Sequence, residues 1–354
     1  MRRFLLLVPA LLLTGCSTLS FYWQAFNGQM EVTRLARPVE EVVADPATSA
    51  DIKRRLAYAQ RVRDYASAEL GLPDNASYRR YADLKRPFVV WNVFAAPALS
   101  LELRTQCFPV AGCVVYRGFF VRDAAENHAA ALRATGLDVY VGGVPAYSTL
   151  GWFADPLLNT FIRYPDLEIA RLIFHELAHQ VAYVRDDSTF NESFAVAGEE
   201  EGLRRWMPGN AGADERASYA GFTARRRELL RLFVTTRREL GVAYAAPVDA
   251  DARREAKTRI LAGLVERYAA QKAAWNLGEA QARAYDDWVL KDLNNAKLGS
   301  IATYTQRVPQ FAALLAANGG DLGGFYAAVA ALAALPKAER ERRLDQMSPL
   351  AKEE

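Results

Sequence analysis

The chain has 354 residues, 51% of them hydrophobic and 24% charged, with three cysteines, three histidines and a formal net charge of +3. That length and balance suit a globular body with a sizeable core. Residues 1–15 carry two arginines and no acid, so without them the formal charge is +1, which argues against nucleic acid as a partner. There is no internal repeat and no long low-complexity segment.

Arg2 and Arg3 form a basic start, and Phe4 to Leu13 is an apolar run too short to span a membrane as a helix. Leu13-Thr14-Gly15-Cys16 then fits a bacterial lipobox, whose cysteine is lipidated and becomes the new N-terminus. The alternative is an ordinary secretory signal with a chance cysteine. Residues 1–15 are thus read as a lipoprotein signal peptide. Residues 16–50 are read as a lipidated tether with an extended start, closed by Asp45-Pro46. Several acyl chains on Cys16 would anchor the protein stably. Ser17 after the lipid site, rather than an Asp, places the expected location at the periplasmic face of the outer membrane by resemblance to sorting rules.

Residues 51–165 read as a sheet-containing N-terminal lobe. A helix is expected over Ile52–Glu69. Strand-like runs come next at Phe88–Phe94, Leu99–Thr105, Cys113–Phe120 and Leu137–Val141, all rich in β-branched and aromatic residues. Cys107 and Cys113 bracket a Pro/Gly turn and, in an oxidising compartment, read as a local disulfide; two unpaired core thiols are the alternative. The segment Val144–Trp152 is expected as an edge strand beside the cleft, where it would bind an extended peptide backbone. Within it Tyr147, Ser148 and Trp152 are the candidate substrate contacts, the alternative being an ordinary aromatic-rich strand and turn.

Residues 166–354 read as a zinc helix followed by a helical C-terminal lobe, with breaks near Pro208-Gly-Asn, Ala245-Ala-Pro247, Leu277-Gly and Asn318-Gly-Gly. The segment Arg171–Gln180 contains H-E-x-x-H as His175, Glu176 and His179. On a helix, positions i and i+4 share a face, so both imidazoles reach one ion. Glu176 then projects beside that ion, where it can take a proton from the attacking water. Pro165-Asp166 marks the helix start, with Asp166 as N-cap. Ala170, Ile173, Phe174, Leu177, Ala178 and Val181 recur at helical spacing and face the core.

A catalytic zinc takes three protein ligands and keeps a fourth position open. The metzincin third histidine would fall six residues after His179, where Arg185 stands. A carboxylate is the better candidate, and Glu192 comes after a turn-like Asp186-Asp187-Ser188-Thr189 in the first turn of a second helix. Glu199 shares the helix face of Glu192 and either orients a zinc-bound histidine or belongs to a solvated run with Glu200 and Glu201. The remaining histidine, His128, lies upstream, so the oxyanion donor is expected to be a tyrosine. Tyr304 is the choice, with Tyr183, placed two turns past His175 on the zinc helix, Tyr219, Tyr268 and Tyr285 also in play.

His175-Glu-Leu-Ala-His-Gln180 followed by Asn191-Glu-Ser-Phe-Ala195 resembles the gluzincin clan. The second block resembles that around the glutamate ligand of the large alanyl-type aminopeptidases, with a shorter spacer. With Val144–Phe153, Asp155-Pro-Leu-Leu158 and Asn294-Asn-Ala-Lys-Leu298, these motifs resemble a bacterial family of aminopeptidase lipoproteins over most of the mature chain. The resemblance implies one zinc ion held by His175, His179 and Glu192, with Glu176 as catalytic base. The fold expected is α+β: a mixed sheet lobe, active-site helices and a mostly helical C-terminal half, which matches the thermolysin-like zincin plan. Two departures stand out. Thermolysin-like enzymes carry an Asp four residues after the ligand Glu, where this chain has Val196. The alanyl-type enzymes hold the substrate ammonium with an upstream Glu, which Gly142–Ser148 lacks, leaving Glu199 or Glu200 to serve. Three readings are compatible with the sequence: a monomeric, membrane-anchored zinc aminopeptidase for short peptides; an envelope quality-control endopeptidase or outer-membrane assembly factor; or a non-enzymatic zinc-binding lipoprotein.

Overall fold

The computed structural model describes the backbone of residues 7–108 and 112–347, and side chains from residue 21 onward. The Cys16 side chain and residues 1–6 lie outside that range, and with them the lipidation expectation and the start of the signal peptide. Among the described residues no helix is long and apolar enough to cross a membrane.

The chain opens with α1 (Leu7–Leu35), β1 (Arg37–Pro38) and α2 (Val39–Ala44). The extended tether start is therefore corrected to a helix, and its reason is a docked face. Phe21 stacks on Phe108 at 4.6 Å. The Gln24 amide donates to the Gly118 carbonyl at 3.2 Å and accepts from the Phe120 N–H at 3.1 Å. A Cβ on Gly28 would lie 2.1 Å from the Phe120 ring, and Val32 is wholly buried. These positions recur at helical spacing, and Ala36, Val39 and Val42 continue into the main core.

The expected helix is α3 (Ala50–Ala68), capped by the Ser49 hydroxyl, which accepts from the Ile52 N–H at 3.4 Å. Next come β2 (Arg80–Ala82), β3 (Val90–Pro97), β4 (Gln106–Phe108), β5 (Gly112–Val114), β6 (Arg117–Phe119), α4 (Arg122–Arg133), β7 (Leu137–Val144) and β8 (Leu157–Leu158). They form a sheet β1-β2-β8, with β1 antiparallel and β8 parallel to β2, an antiparallel sheet β6-β3-β7, and the hairpin β4-β5. In β3, Trp91, Val93 and Ala95 pack on one face with Ala125 and Ala129 of α4. Phe94 and Ala96 pack on the other face against Ala296. Both faces are covered, so the strand reads as a nearly continuous apolar run.

Three strand expectations are corrected. Leu99–Thr105 is irregular: Leu101 and Leu103 insert into helical clusters, and Arg237 donates to the Leu101 carbonyl at 3.1 Å. Cys113–Phe120 splits into β5 and β6 as the chain passes from hairpin to sheet. Residues 145–152 are turns rather than an edge strand. Pro145 has no N–H to extend the ladder, Leu150 and Gly151 have φ of 57° and 81°, and the Asp155 carboxylate accepts from the Thr149 N–H and hydroxyl, each at 2.8 Å.

The rest is helical: α5 (Asp166–Ala178), α6 (Ser188–Asn210), α7 (Ala213–Ala245), α8 (Ala250–Ala274), α9 (Glu279–Leu290), α10 (Asn295–Thr305), α11 (Val308–Ala317), α12 (Leu322–Ala333) and α13 (Lys337–Gln346). The chain is α+β with small mixed sheets. Helices end close to the Pro and Gly positions, although Pro208 and Gly209 still lie in the last turn of α6. Helix α5 is the centre of the main core, between α3 and α6, and every residue from Ile169 to Ala178 except Arg171 is buried. Asp166 is not its N-cap: Pro165 holds that position, and Asp166 in the first turn pairs with Arg54 at 2.9 Å.

At the α5–α6 crossing, a Cβ on Gly202 would stand 2.7 Å from the Phe174 ring and 3.0 Å from Leu70. Gly202→Ala would gain about 1 kcal/mol of helix propensity but overpack this contact by about 1–3 kcal/mol. The expected result in denaturant unfolding is a net loss of up to about 2 kcal/mol. A gain in stability would show that the two helices are free to separate.

Candidate metal centre

His175 sits in the last turn of α5 and His179 is the residue that ends it. The chain then turns tightly and enters α6 through Asp187, whose carboxylate accepts from the Phe190 N–H at 3.1 Å. The Asn191 amide accepts from the Val184 N–H at 2.7 Å and donates to the Val184 carbonyl at 2.8 Å. That pair of bonds fixes the end of the α5–α6 connection to α6, one residue before Glu192. Glu192 thus lies in the second turn of α6, not the first. Arg340 from α13 closes the same junction, pairing with Asp187 at 2.8 Å.

This arrangement brings three donors together. His175 Nε2 is 3.2 Å from His179 Nε2. Glu192 Oε2 is 3.4 Å from the first and 3.5 Å from the second. Three donors of a tetrahedral zinc at about 2.0–2.1 Å stand roughly 3.3–3.4 Å from one another. The triangle therefore fits that ion without rearrangement.

The chemistry of the donor set agrees. Glu199 is fully buried, and its Oε2 lies 2.9 Å from His175 Nδ1. A carboxylate there favours a proton on Nδ1 and turns the Nε2 lone pair toward Glu192 and His179. Arg171 donates to both Glu199 oxygens at 2.9 and 2.8 Å and to Glu168 at 2.9 Å. Of the two roles open to Glu199, the structure places it against the histidine. The acidic run is split: Glu201 pairs with Arg204 and Arg205, both at 2.6 Å, and Glu200 is exposed. His179 Nδ1 is buried without a hydrogen-bond partner among the described residues.

Burial opposes charge on these groups, and their neighbours outweigh it. Burial disfavours the His175 imidazolium, but Glu192 and Glu199 hold it up to about 10. Burial disfavours the Glu192 carboxylate, but His179 and His175 bring it down to about 2. Glu199 is likewise penalised by burial and held at about 2 by Arg171 and His175. Glu176 differs. Burial raises it above the ordinary carboxylate range despite both imidazoles, the direction that suits a base working near neutrality.

Tyr304 lies on α10. Burial, then Glu192 and Glu176, hold its hydroxyl well above the ordinary range. Tyr116, which the sequence reading missed, feels the same two carboxylates after burial. Its only sequence signal is its place three residues after Cys113. Tyr183 is not on the zinc helix, which ends before it; it is 40% exposed at the rim. Tyr268 donates to Asp286 at 2.7 Å and Tyr285 accepts from Arg225 at 3.1 Å, both in the α7–α9 bundle. Tyr219 lies on the Arg171 side of α5. His128 stands beside Phe119 at 5.4 Å on α4.

Of the three expected substrate contacts, the Tyr147 hydroxyl donates to Gln29 of α1 and its ring meets Phe120 edge-on at 5.8 Å. The Ser148 hydroxyl accepts from the Leu150 N–H at 3.0 Å, and Trp152 is 84% exposed. Cys107 and Cys113 are disulfide-bonded across the β4-β5 hairpin. The hairpin docks on the site's connecting loop: the Cys113 N–H donates to Asp186, and a Cβ on Gly112, at φ 76°, would lie 2.5 Å from the Arg185 and Asp186 side chains.

Glu192→Ala removes a corner of the triangle and should abolish tight zinc binding. Glu199→Ala should weaken it by about 10–100-fold and destabilise the fold, because Arg171 loses its buried partner. Equal zinc affinity in wild type and Glu192→Ala would refute the ligand set. Zinc must also displace the His175 proton, which is retained up to about 10. Affinity should therefore climb with pH across the neutral range, by about tenfold per unit for one displaced proton. Calorimetry in buffers of different ionisation heat reads that proton directly.

The family model described as "Putative aminopeptidase" matches residues 20–344. No curated protein and no solved structure matches the chain. The matched span runs from the docked part of α1 through α13 and contains every residue of the centre just described. The chain belongs to this aminopeptidase family.

Proposed function

We propose that the protein is a zinc-dependent peptidase of the bacterial cell envelope, acting as an aminopeptidase on short peptides. The observation that carries this reading is the donor triangle of His175, His179 and Glu192, with sides of 3.2–3.5 Å, beside the buried Glu176. A central helix between a sheet-bearing lobe and a helical half supports a thermolysin-like zincin architecture. The lipobox ending at Cys16 supports a lipid anchor at the periplasmic face of the outer membrane, with the body as a monomer. Peptide and membrane are the expected partners, and the near-balanced charge argues against nucleic acid.

His175, His179 and Glu192 would hold the zinc ion, which would supply Lewis acidity for the scissile carbonyl and the attacking water. Glu176 takes the proton from that water and later delivers it to the leaving amine. Glu199 keeps the His175 ring in one orientation through Nδ1. Tyr304 remains protonated, because burial and Glu192 oppose its ionisation, and so can donate to the oxyanion. Glu176→Gln keeps the shape of the side chain and removes the base.

A second reading, an envelope endopeptidase, is favoured by one observation. Neither acid suggested for holding a substrate ammonium is free beside the triangle. Glu199 is buried against His175 and Arg171, and Glu200 is exposed with Arg226 and Arg227 as neighbours.

The test is a peptide library, half with free and half with acetylated N-termini, digested by the zinc-loaded chain and read by mass spectrometry. Single-residue losses confined to free N-termini are the expected result; internal cuts in both halves would replace the aminopeptidase with the endopeptidase. Glu176→Gln should retain its zinc and lose about 10²–10⁴ in rate. Wild-type turnover in that variant would refute the mechanism.

A further inference from the structure

We propose that the outward side of α1 is a membrane-surface contact, with Trp23 and Phe26 seated at the lipid headgroups close to the anchored Cys16. The inference rests on the reading of Cys16 as the lipidated residue. Trp23 is 65% and Phe26 55% exposed, and their rings stack at 6.3 Å. The opposite side of the helix is the docked one: Phe21, Gln24, Gly28 and Val32 meet the body at spacings of three and four. A surface helix ordinarily turns its polar side to water, whereas here that side carries two large apolar rings. Charge does not oppose lipid either. Between residues 21 and 35 the only charged side chains are Glu31 and Arg34, and Glu31 pairs with Arg86 at 2.8 Å.

The occupant follows from the place of the pair in the chain. Cys16 stands seven residues before Trp23, and α1 is continuous over both, a separation of about 10 Å along the helix axis. Acyl chains on Cys16 therefore keep a bilayer surface within reach of both rings. Tryptophan is enriched at that level of a membrane, because its ring is apolar with one polar edge. No span is implied: among the described residues no helix is long and apolar enough to cross a membrane, and the contact is one side of a helix resting on the surface. The docked side gives this contact a consequence. The Tyr147 hydroxyl donates to Gln29, and Gln24 bonds Gly118 and Phe120, so helix and body are joined. Phe21 meets the β4-β5 hairpin at Phe108, and the hairpin in turn bonds Asp186, between His179 and Glu192 in the chain. Lipid held by Trp23 and Phe26 thus fixes the orientation of the body, and one hairpin links the anchored end of α1 to the connection between the metal donors.

The test uses the full chain, processed in cells and reconstituted into phosphatidylcholine vesicles that carry brominated acyl chains. Bromine quenches the fluorescence of tryptophan close to it. We expect quenching in the wild type and the loss of most of it in Trp23→Phe, which removes the reporter and keeps a ring at the surface. No quenching, or equal quenching in wild type and Trp23→Phe, would overturn the proposal. A second copy of the chain is the competing cover for the pair. Dimers cross-linked through Trp23→Cys in the same vesicles, at a low protein-to-lipid ratio, would overturn the membrane contact in favour of that copy. Their absence, together with the quenching, upholds it. The mass of the mature N-terminus reads the anchor separately. An acylated chain without quenching sinks this proposal and leaves the anchor standing. Quenching without acylation upholds the contact and sinks the anchor, and the absence of both sinks both.

Discussion

Three carboxylates, Glu176, Glu192 and Glu199, are brought into the interior around two turns of one helix, and keeping them there dictates the structure of the centre. Each loses several kcal/mol of hydration on burial unless an opposite charge replaces it. Arg171 answers Glu199, and a proton on His175 lies between Glu199 and Glu192. One negative charge is then left over, and burial moves Glu176 toward its neutral form. A divalent cation in place of the proton would balance the cluster. The same acidic excess that makes the site costly as a bare protein centre would favour such an ion, so the donor geometry and the charge count point the same way.

The surrounding fold supplies rigidity. Metal and catalytic geometry tolerates errors of only about 0.5 Å, so each of the key side chains is fixed at its base. His175 and Glu176 ride a helix buried on nearly every side. Glu192 is set by Asn191 bonding both backbone groups of Val184, and by Arg340 reaching from the last helix to the cap of α6. The C-terminal helices therefore act on the centre at a distance. Phe311 and Phe325 pack on Phe194, two residues beyond Glu192. A change in α11 or α12 that shifts Phe194 would move a donor.

The features legible in the sequence are those set by spacing along the chain. The i, i+4 histidines, the carboxylate after a turn, the helix breaks at Pro and Gly and the local cysteine pair all depend on near neighbours. The features that escaped depend on faces made elsewhere. α1 looked like a tether because its contacts, to Phe108, Gly118 and Phe120, lie about a hundred residues away. Residues 145–152 looked like a strand because their composition does not reveal that Asp155 will fold the segment back on itself. Tyr116, whose ionisation Glu192 and Glu176 oppose, lies in the bend between β5 and β6, which has no periodic signature. Arg171 lay inside the motif segment in plain view. Its role was hidden because it depends on Glu199, a helix away.

The cluster also bears on which end of a peptide the site prefers. An aminopeptidase must give the substrate ammonium an anion or an equivalent set of acceptors, and the nearest acids are committed. Glu199 is bonded to Arg171 and His175, Glu192 belongs to the donor triangle, and Glu176 is the base of the proposed mechanism. The groups whose ionisation Glu192 opposes are phenols: Tyr304, Tyr116 and the part-exposed Tyr183. Tyrosine offers a hydroxyl oxygen and a ring face, both of which attract an ammonium, the ring by about 0.5–1 kcal/mol where water remains and more where it is excluded. Such a rim would hold a free N-terminus by several weak contacts instead of one ion pair. It would also accept an uncharged backbone with little penalty, so discrimination between exopeptidase and endopeptidase would rest on the shape of the cleft floor and not on charge.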